Sequence, residues 1–255
     1  MLHLPSDLAY TAVVPASPTL TRLADLTTDQ WGLVTRRQAE LAGVSPRTFD
    51  RLAADEGVLE RVARGVYRLA TAPVPDHIEL RAAWLQLAPA TPAWSRRPSQ
   101  GVVSHRSAAS LYGLGDLPAD RHDFITSTRK QSRRKDVRLH HQSLKSNEWT
   151  SVGGMPATLP SRLVSDLLHD HENPEALGHI IADAIRKVFD YPAAFAQKLA
   201  PHATTFGLRR NDGLALLRWF LDLVDDPDSR AWIEEARSSS PSAGEAGSSG
   251  AGAGG

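Results

Sequence analysis

Thr35 to Leu52 reads T-R-R-Q-A-E-L-A-G-V-S-P-R-T-F-D-R-L, two short helical patterns interrupted at Gly43-Val44. Thr35 is an N-cap candidate for a helix over Arg36 to Ala42, with Ala39 and Ala42 as small packing positions. Gly43 falls where a tight turn needs a positive φ. Ser45-Pro46 restarts the helix, because serine supplies the cap oxygen and proline suits the first helical position. Phe49 and Leu52, three apart, share the inward face with Val44, which leaves Arg47, Thr48 and Arg51 facing outward. Upstream, Thr19 or Thr21 can cap a helix carrying Leu20, Leu23, Ala24 and Leu26, and Gly32-Leu33-Val34 is a short extended piece. Downstream, Gly57 stops the second helix. Val58 to Leu69, V-L-E-R-V-A-R-G-V-Y-R-L, then sets strand formers on both sides of Ala63-Arg64-Gly65, which predicts a β-hairpin. Helix, short strand, helix, tight turn, helix and hairpin is the order of a winged helix-turn-helix.

That order gives the arginines a role to be tested. The second helix of such a motif enters the major groove with its N-terminal residues toward base edges. Here these are Ser45, Arg47, Thr48, Asp50 and Arg51, and an outward arginine can read guanine through two hydrogen bonds. Thr35, Arg36 and Arg37 open the preceding helix, whose N-terminus suits phosphate. Arg64 stands at the wing tip between Arg61 and Arg68. Seven arginines fall between Thr35 and Ala70, but five acidic residues share the window, so the local excess is small.

The rest of the chain is balanced in the same way. Its 255 residues carry 29 basic and 29 acidic side chains, so nucleic-acid binding has to come from a local patch. Residues 76–150 hold the basic excess and residues 151–255 the acidic one. The strongest basic run is R-K-Q-S-R-R-K-D-V-R, Arg129 to Arg138. Within it Arg129, Lys130, Arg133, Arg134 and Lys135 are candidates for a second phosphate contact. With no cysteine, disulfide scaffolds, thiolate zinc sites and cysteine nucleophiles are excluded. The N-terminus has neither the basic start nor the apolar run of a secretory signal, so a cytoplasmic location is expected.

Beyond Thr71–Pro75, where two prolines interrupt regular structure, the pattern changes. Asp76 and Glu79 form a capping box for a helix with Leu80, Trp84 and Leu87. Val102 to Gly115 reads as two β-branched residues, a serine cap, a short helix and a glycine stop. Phe124 to Thr126 and Val137 to His141 read as strands, and Gly153-Gly154 as a hairpin turn. From Pro160 the periodicity is helical: Leu163, Val164, Leu167 and Leu168, then Leu177, Ile180, Ile181, Ala184, Ile185 and Val188, then Leu214, Leu217, Leu221 and Val224. The expected fold class is α+β, a winged helix-turn-helix over residues 19–72 and a mixed α/β domain with a helical end over 76–237. Residues 1–18 and 238–255 are expected as tails without burial to offset their ordering entropy.

No chemistry-bearing constellation competes with DNA binding. The histidines lack metal-ligand spacing, so no metal or cofactor is expected. Ser104-His105 is read as a helix cap with its two side chains pointing apart, not as a nucleophile and base. The chain is therefore expected to be no enzyme.

The wing L-E-R-V-A-R-G-V-Y-R-L, then S-H-R-S-A-A-S-L-Y-G-L, then G-M-P-A-T-L-P-S-R-L-V-S-D-L-L, in that order, resembles the AbiEi antitoxins of type IV abortive-infection toxin–antitoxin pairs. The resemblance spans roughly residues 20–235. It implies a winged helix that represses the antitoxin–toxin operon through operator DNA, and a C-terminal domain that neutralises a nucleotidyltransferase-like toxin. Some relatives carry a nuclease-like C-terminal domain whose metal site needs E-x-K, and no E-x-K occurs here. The residues alone leave open a stand-alone winged-helix regulator whose C-terminal part binds a small ligand or an oligomer mate.

Overall fold

The computed structural model describes residues 17–54, 57–129, 131–132 and 134–239. The chain is α+β and forms two compact units that divide between Ser95 and Arg96. The first contains α1 (Pro18–Thr28), β1 (Leu33–Thr35), α2 (Arg36–Leu41), α3 (Pro46–Ala54), β2 (Leu59–Ala63), β3 (Val66–Leu69) and α4 (Ile78–Leu87). β3 lies between β1 and β2 and is antiparallel to both. Leu23, Val34, Ala39, Val44, Phe49, Leu52 and Leu59 make the core, so the helices close on the residues that the spacing assigned inward. Gly43 has φ 84°, and the Val44 N–H reaches back to the Ala39 carbonyl across the turn.

The division falls beyond the Thr71–Pro75 boundary expected from the prolines, because α4 packs on the winged helix. Leu80 to Leu85 are all buried, so this helix needs cover on nearly every side. The Trp84 ring meets Trp31 edge-on at 5.9 Å, and the Arg81 guanidinium stands 4.4 Å from the Trp31 ring centre. Past α4 the strand of chain is held by a pair of buried amides. Gln30 donates to Gln38 at 2.8 Å and Gln38 to Gln30 at 3.1 Å, while the Ala93 N–H donates to Gln30 and Gln38 donates to the Thr91 carbonyl. The expected capping box is absent. His77 takes the cap position in a left-handed conformation, φ 53°, with no side-chain cap bond, and the Asp76 carbonyl instead accepts from Arg81.

In the second unit β4 (Val102–Val103), α5 (His105–Tyr112), β5 (His122–Thr126), β6 (Val137–His141), β7 (Trp149–Val152) and β8 (Met155–Thr158) build a sheet of order β6-β5-β4-β8-β7. β5–β6 and β4–β8 are parallel, and β4–β5 and β7–β8 antiparallel. Gly153 and Gly154 turn the last hairpin with φ 54° and 83°, two successive positive values of the kind such turns require. Then come α6 (Pro160–His169), α7 (Pro174–Arg186), α8 (Pro192–Leu199), α9 (Gly213–Leu223) and α10 (Ser229–Ser238). α7 stops short of the expected stripe: Val188 has φ 57° and is 73% exposed. α8 has no counterpart in the sequence reading, since P-A-A-F-A-Q-K-L offers only Phe195 and Leu199 as large apolar side chains. The Asp212 carboxylate caps α9 by accepting the Ala215 N–H at 2.9 Å. The expected tails lie outside the described residues except at their inner ends, where Pro18 opens α1 and Ser238 closes α10. Among the described residues no helix is long and apolar enough to cross a membrane.

Candidate nucleic-acid interface

α3 is set by its sequence. Ser45 caps it, with its Oγ accepting the Thr48 N–H at 3.1 Å and pairing with the Thr48 hydroxyl at 2.8 Å. Phe49 is fully buried against Tyr67, ring centres 5.0 Å apart, and Leu52 is buried beside it. This fixes the helix rotation, so Arg47 and Arg51 are exposed, as are Ser45 and Pro46 at its N-terminus. The wing is tied to the helix-turn-helix by a backbone bond from the Arg36 N–H to the Gly65 carbonyl, 2.9 Å. Gln86 of α4 holds its tip by donating to the Arg64 carbonyl at 2.7 Å. Arg61 and Arg64 are exposed on this wing. Among the described residues none forms an ion pair with Arg47, Arg51, Arg61 or Arg64.

Other candidates are not presented to solvent in this way. Thr35 is buried: its hydroxyl accepts the Gln38 N–H at 3.0 Å and donates to the Pro89 carbonyl, so it is spent on capping α2. Arg68 is buried on the face of β3 turned away from Phe49, where it pairs with Glu60 and donates to the Ala72 carbonyl. The strand's two-residue alternation puts Arg68 on the same face as Val66. Arg36 is held by Asp50 through two bonds, 2.7 and 3.0 Å, and by Glu40 at 3.4 Å. The Asp50 hydrogen bond, more than any other contact, raises the Arg36 pKa further. Exposed Arg37 pairs with Glu40 at 3.2 Å. Asp50 and Glu40 were missed as charge partners because a sequence shows their sign but not that α2 and α3 bring them together.

In the basic run, Arg129 and Lys135 are exposed, and Arg134 pairs with Asp136, which holds the Asp136 carboxyl down at about 2. Lys130 and Arg133 lie outside the described residues.

The second unit holds its polar groups in two internal clusters that the sequence did not reveal. Ser104 and His105, expected to point apart, are hydrogen-bonded at 2.9 Å between Oγ and Nδ1. The His105 backbone is left-handed, φ 51°, which folds the ring back on its neighbour. His105 stacks on His140 at 3.7 Å, and His140 Nε2 bonds Asp123 at 2.9 Å. Burial first, and then His140, push the His105 pKa down to about 3. Ligand atoms of His105, His140 and Asp170 lie within 4.8 Å of one another. The two ring planes are only 12° apart, so their in-plane lone pairs run side by side instead of meeting at one ion, and Asp170 is already paired with Arg138 at 2.8 Å. Nearby, a cavity of about 600 Å³ is lined by Glu148, Arg162, Asp166 and Lys198. Burial pushes the Glu148 pKa up, but Lys198, the Lys145 N–H and Arg162 together outweigh it and hold the group at about 2. Each carboxylate here faces a cation, Arg162 bonding both Glu148 and Asp166 at 3.0 Å, which ties the segment before β7 to α6 and, through Lys198, to α8.

Comparison with known proteins bears on the first unit. Residues 22–70 match the family model of the AbiEi antitoxin transcriptional regulator. No curated protein matches the chain. Among solved structures, the RV2827C protein from Mycobacterium tuberculosis is similar at 14% identity and a TM-score of 0.49, over 86% of this chain and 82% of that one. The matched segment starts within α1 and ends just past the wing, the same residues whose caps, turn and hairpin were derived above. Over residues 22–70 the chain is thus similar to the AbiEi antitoxin transcriptional regulator.

Proposed function

We propose that the protein is an antitoxin that represses its own operon through the winged helix and neutralises a nucleotidyltransferase-like toxin through residues 96–239, with no catalytic step of its own. The observation that carries the DNA half is α3: Phe49 and Leu52 are pinned in the core while Arg47 and Arg51 stand exposed, inside the segment that matches the regulator family. Arg61 and Arg64 on the wing supply phosphate contacts beside the helix. The second unit, with its own apolar core from Val102 to Ala236, is the body available to a protein partner.

Titration of the full chain against the duplex immediately upstream of its coding sequence, and against a random duplex of equal length, tests the first half. Binding of both with equal affinity removes the repressor reading. Co-expression with the product of the adjacent toxin-like gene tests the second. Growth rescued by residues 96–239 supports it, and rescue by the winged helix alone overturns it.

A further inference from the structure

We infer that Asp50, with Glu40, holds down the sequence-independent affinity of the DNA-binding face by withholding Arg36 from phosphate. The inference rests on the DNA-binding reading above and names residues that set its strength. Arg36 is the first residue of α2, and in a helix-turn-helix it is the first helix that crosses the backbone of the duplex. Its guanidinium is fully engaged within the protein: both terminal nitrogens bond the Asp50 carboxylate, and Nε faces Glu40. It is also seated on the core, 5.8 Å from the centre of the Phe49 ring. Arg37 leans on the same Glu40. Two acidic side chains therefore cancel the two arginines that open α2, and Asp50 does so from the recognition helix itself.

The consequence follows from what each kind of contact contributes. Phosphate contacts strengthen binding to every sequence alike, whereas base-edge contacts strengthen binding to one. Removing Arg36 from the phosphate set lowers affinity for every duplex, operator and random alike, while Arg47 and Arg51 remain free to read bases. The protein thereby limits its hold on bulk DNA despite its seven arginines in 36 residues from Thr35 to Ala70. Asp50 is 58% and Arg36 38% exposed at the side chain, so the pair can be altered without opening the core.

The test uses the full chain, the upstream duplex and a random duplex of the same length, at several salt concentrations. Asp50→Asn is expected to bind the random duplex about threefold or more tighter at low salt, with a log–log salt slope steeper by about 0.9, the value of one added phosphate contact. Operator binding should tighten by the same factor, leaving the operator-over-random ratio unchanged. In the double variant with Arg36→Gln the gain should vanish, since the released cation is gone. A gain that persists in the double variant would show that Asp50 repels phosphate directly and would overturn the inference. So would an Asp50→Asn protein that loses operator binding with no change on random DNA, because Asp50 would then be aiming Arg36 at the duplex. A wild-type protein that shows no preference for the upstream duplex removes the DNA-binding reading itself, a result distinct from both.

Discussion

At the scale of single residues, Arg47 is the sharpest test of the recognition helix. It is exposed at the start of α3 behind the Ser45 cap. Arg47→Ala is expected to cost about 1–3 kcal/mol on the upstream duplex and to relax preference at one base position. Equal loss on random DNA in the same titrations would make it a phosphate contact. A second residue-scale prediction concerns acid. His105 titrates near its ordinary 6.5 when unfolded but at about 3 when folded. Between those values the unfolded chain binds the extra proton, so stability rises with pH and is lost as pH falls below 6.5. From pH 7 to pH 5 this amounts to about 2 kcal/mol. Urea unfolding of the wild type and of His105→Gln at both pH values checks it, and the variant should lose less stability on acidification. His202, also depressed by burial, shares the sign and accounts for part of what remains.

Single elements show which patterns a sequence can carry. α3 was legible because its information is local: a cap, a proline and two apolar residues three apart. The winged-helix hairpin was legible for the same reason. α8 was not, because a helix of mostly alanine is specified by what it lies against. That neighbour is α9, and the approach is so close that a Cβ on Gly213 would stand 1.8 Å from the Ala196 carbonyl oxygen. Gly213→Ala is therefore expected to force the two helices apart and to destabilise the protein by about 1–3 kcal/mol or more, read as a lowered melting temperature. Gly207→Ala is not an equivalent control, since its φ of 72° brings a strain of its own. The candidate interface was half legible for a related reason. Helical spacing turned Arg47 and Arg51 outward, but the partners of Arg36 and the burial of Arg68 depend on contacts between elements.

For the molecule as a whole, the place where one unit ends matters more than any one side chain. The prolines at Pro73 and Pro75 mark a break in regular structure but not in packing, since α4 returns to cover Trp31. A fragment of residues 17–95 is accordingly expected to unfold cooperatively by circular dichroism, while 17–72, which bares the underside of the sheet, should not. Trp84→Ala in the longer fragment should cost about 3–5 kcal/mol. The same folding logic explains why the histidine and arginine clusters of the second unit escaped the sequence. His105, His140 and Asp123 come from three elements, and nothing in their spacing says that a sheet will gather them.

The parallel pairing of β5 with β6 separates two properties of the basic run, its charge and its reach. Thr126 ends one strand, and Val137 begins the next beside His122, at the opposite end of the same pair. The ten intervening residues must cover roughly 14 Å along and across the strands. Shuffling their charges leaves that distance spanned. Shortening them does not: with more than about seven removed, the remaining links at about 3.5 Å each no longer bridge the gap. A charge-scrambled loop should therefore fold like the parent, whereas a deeply trimmed one should lose the β6 edge, whatever the loop touches in solution.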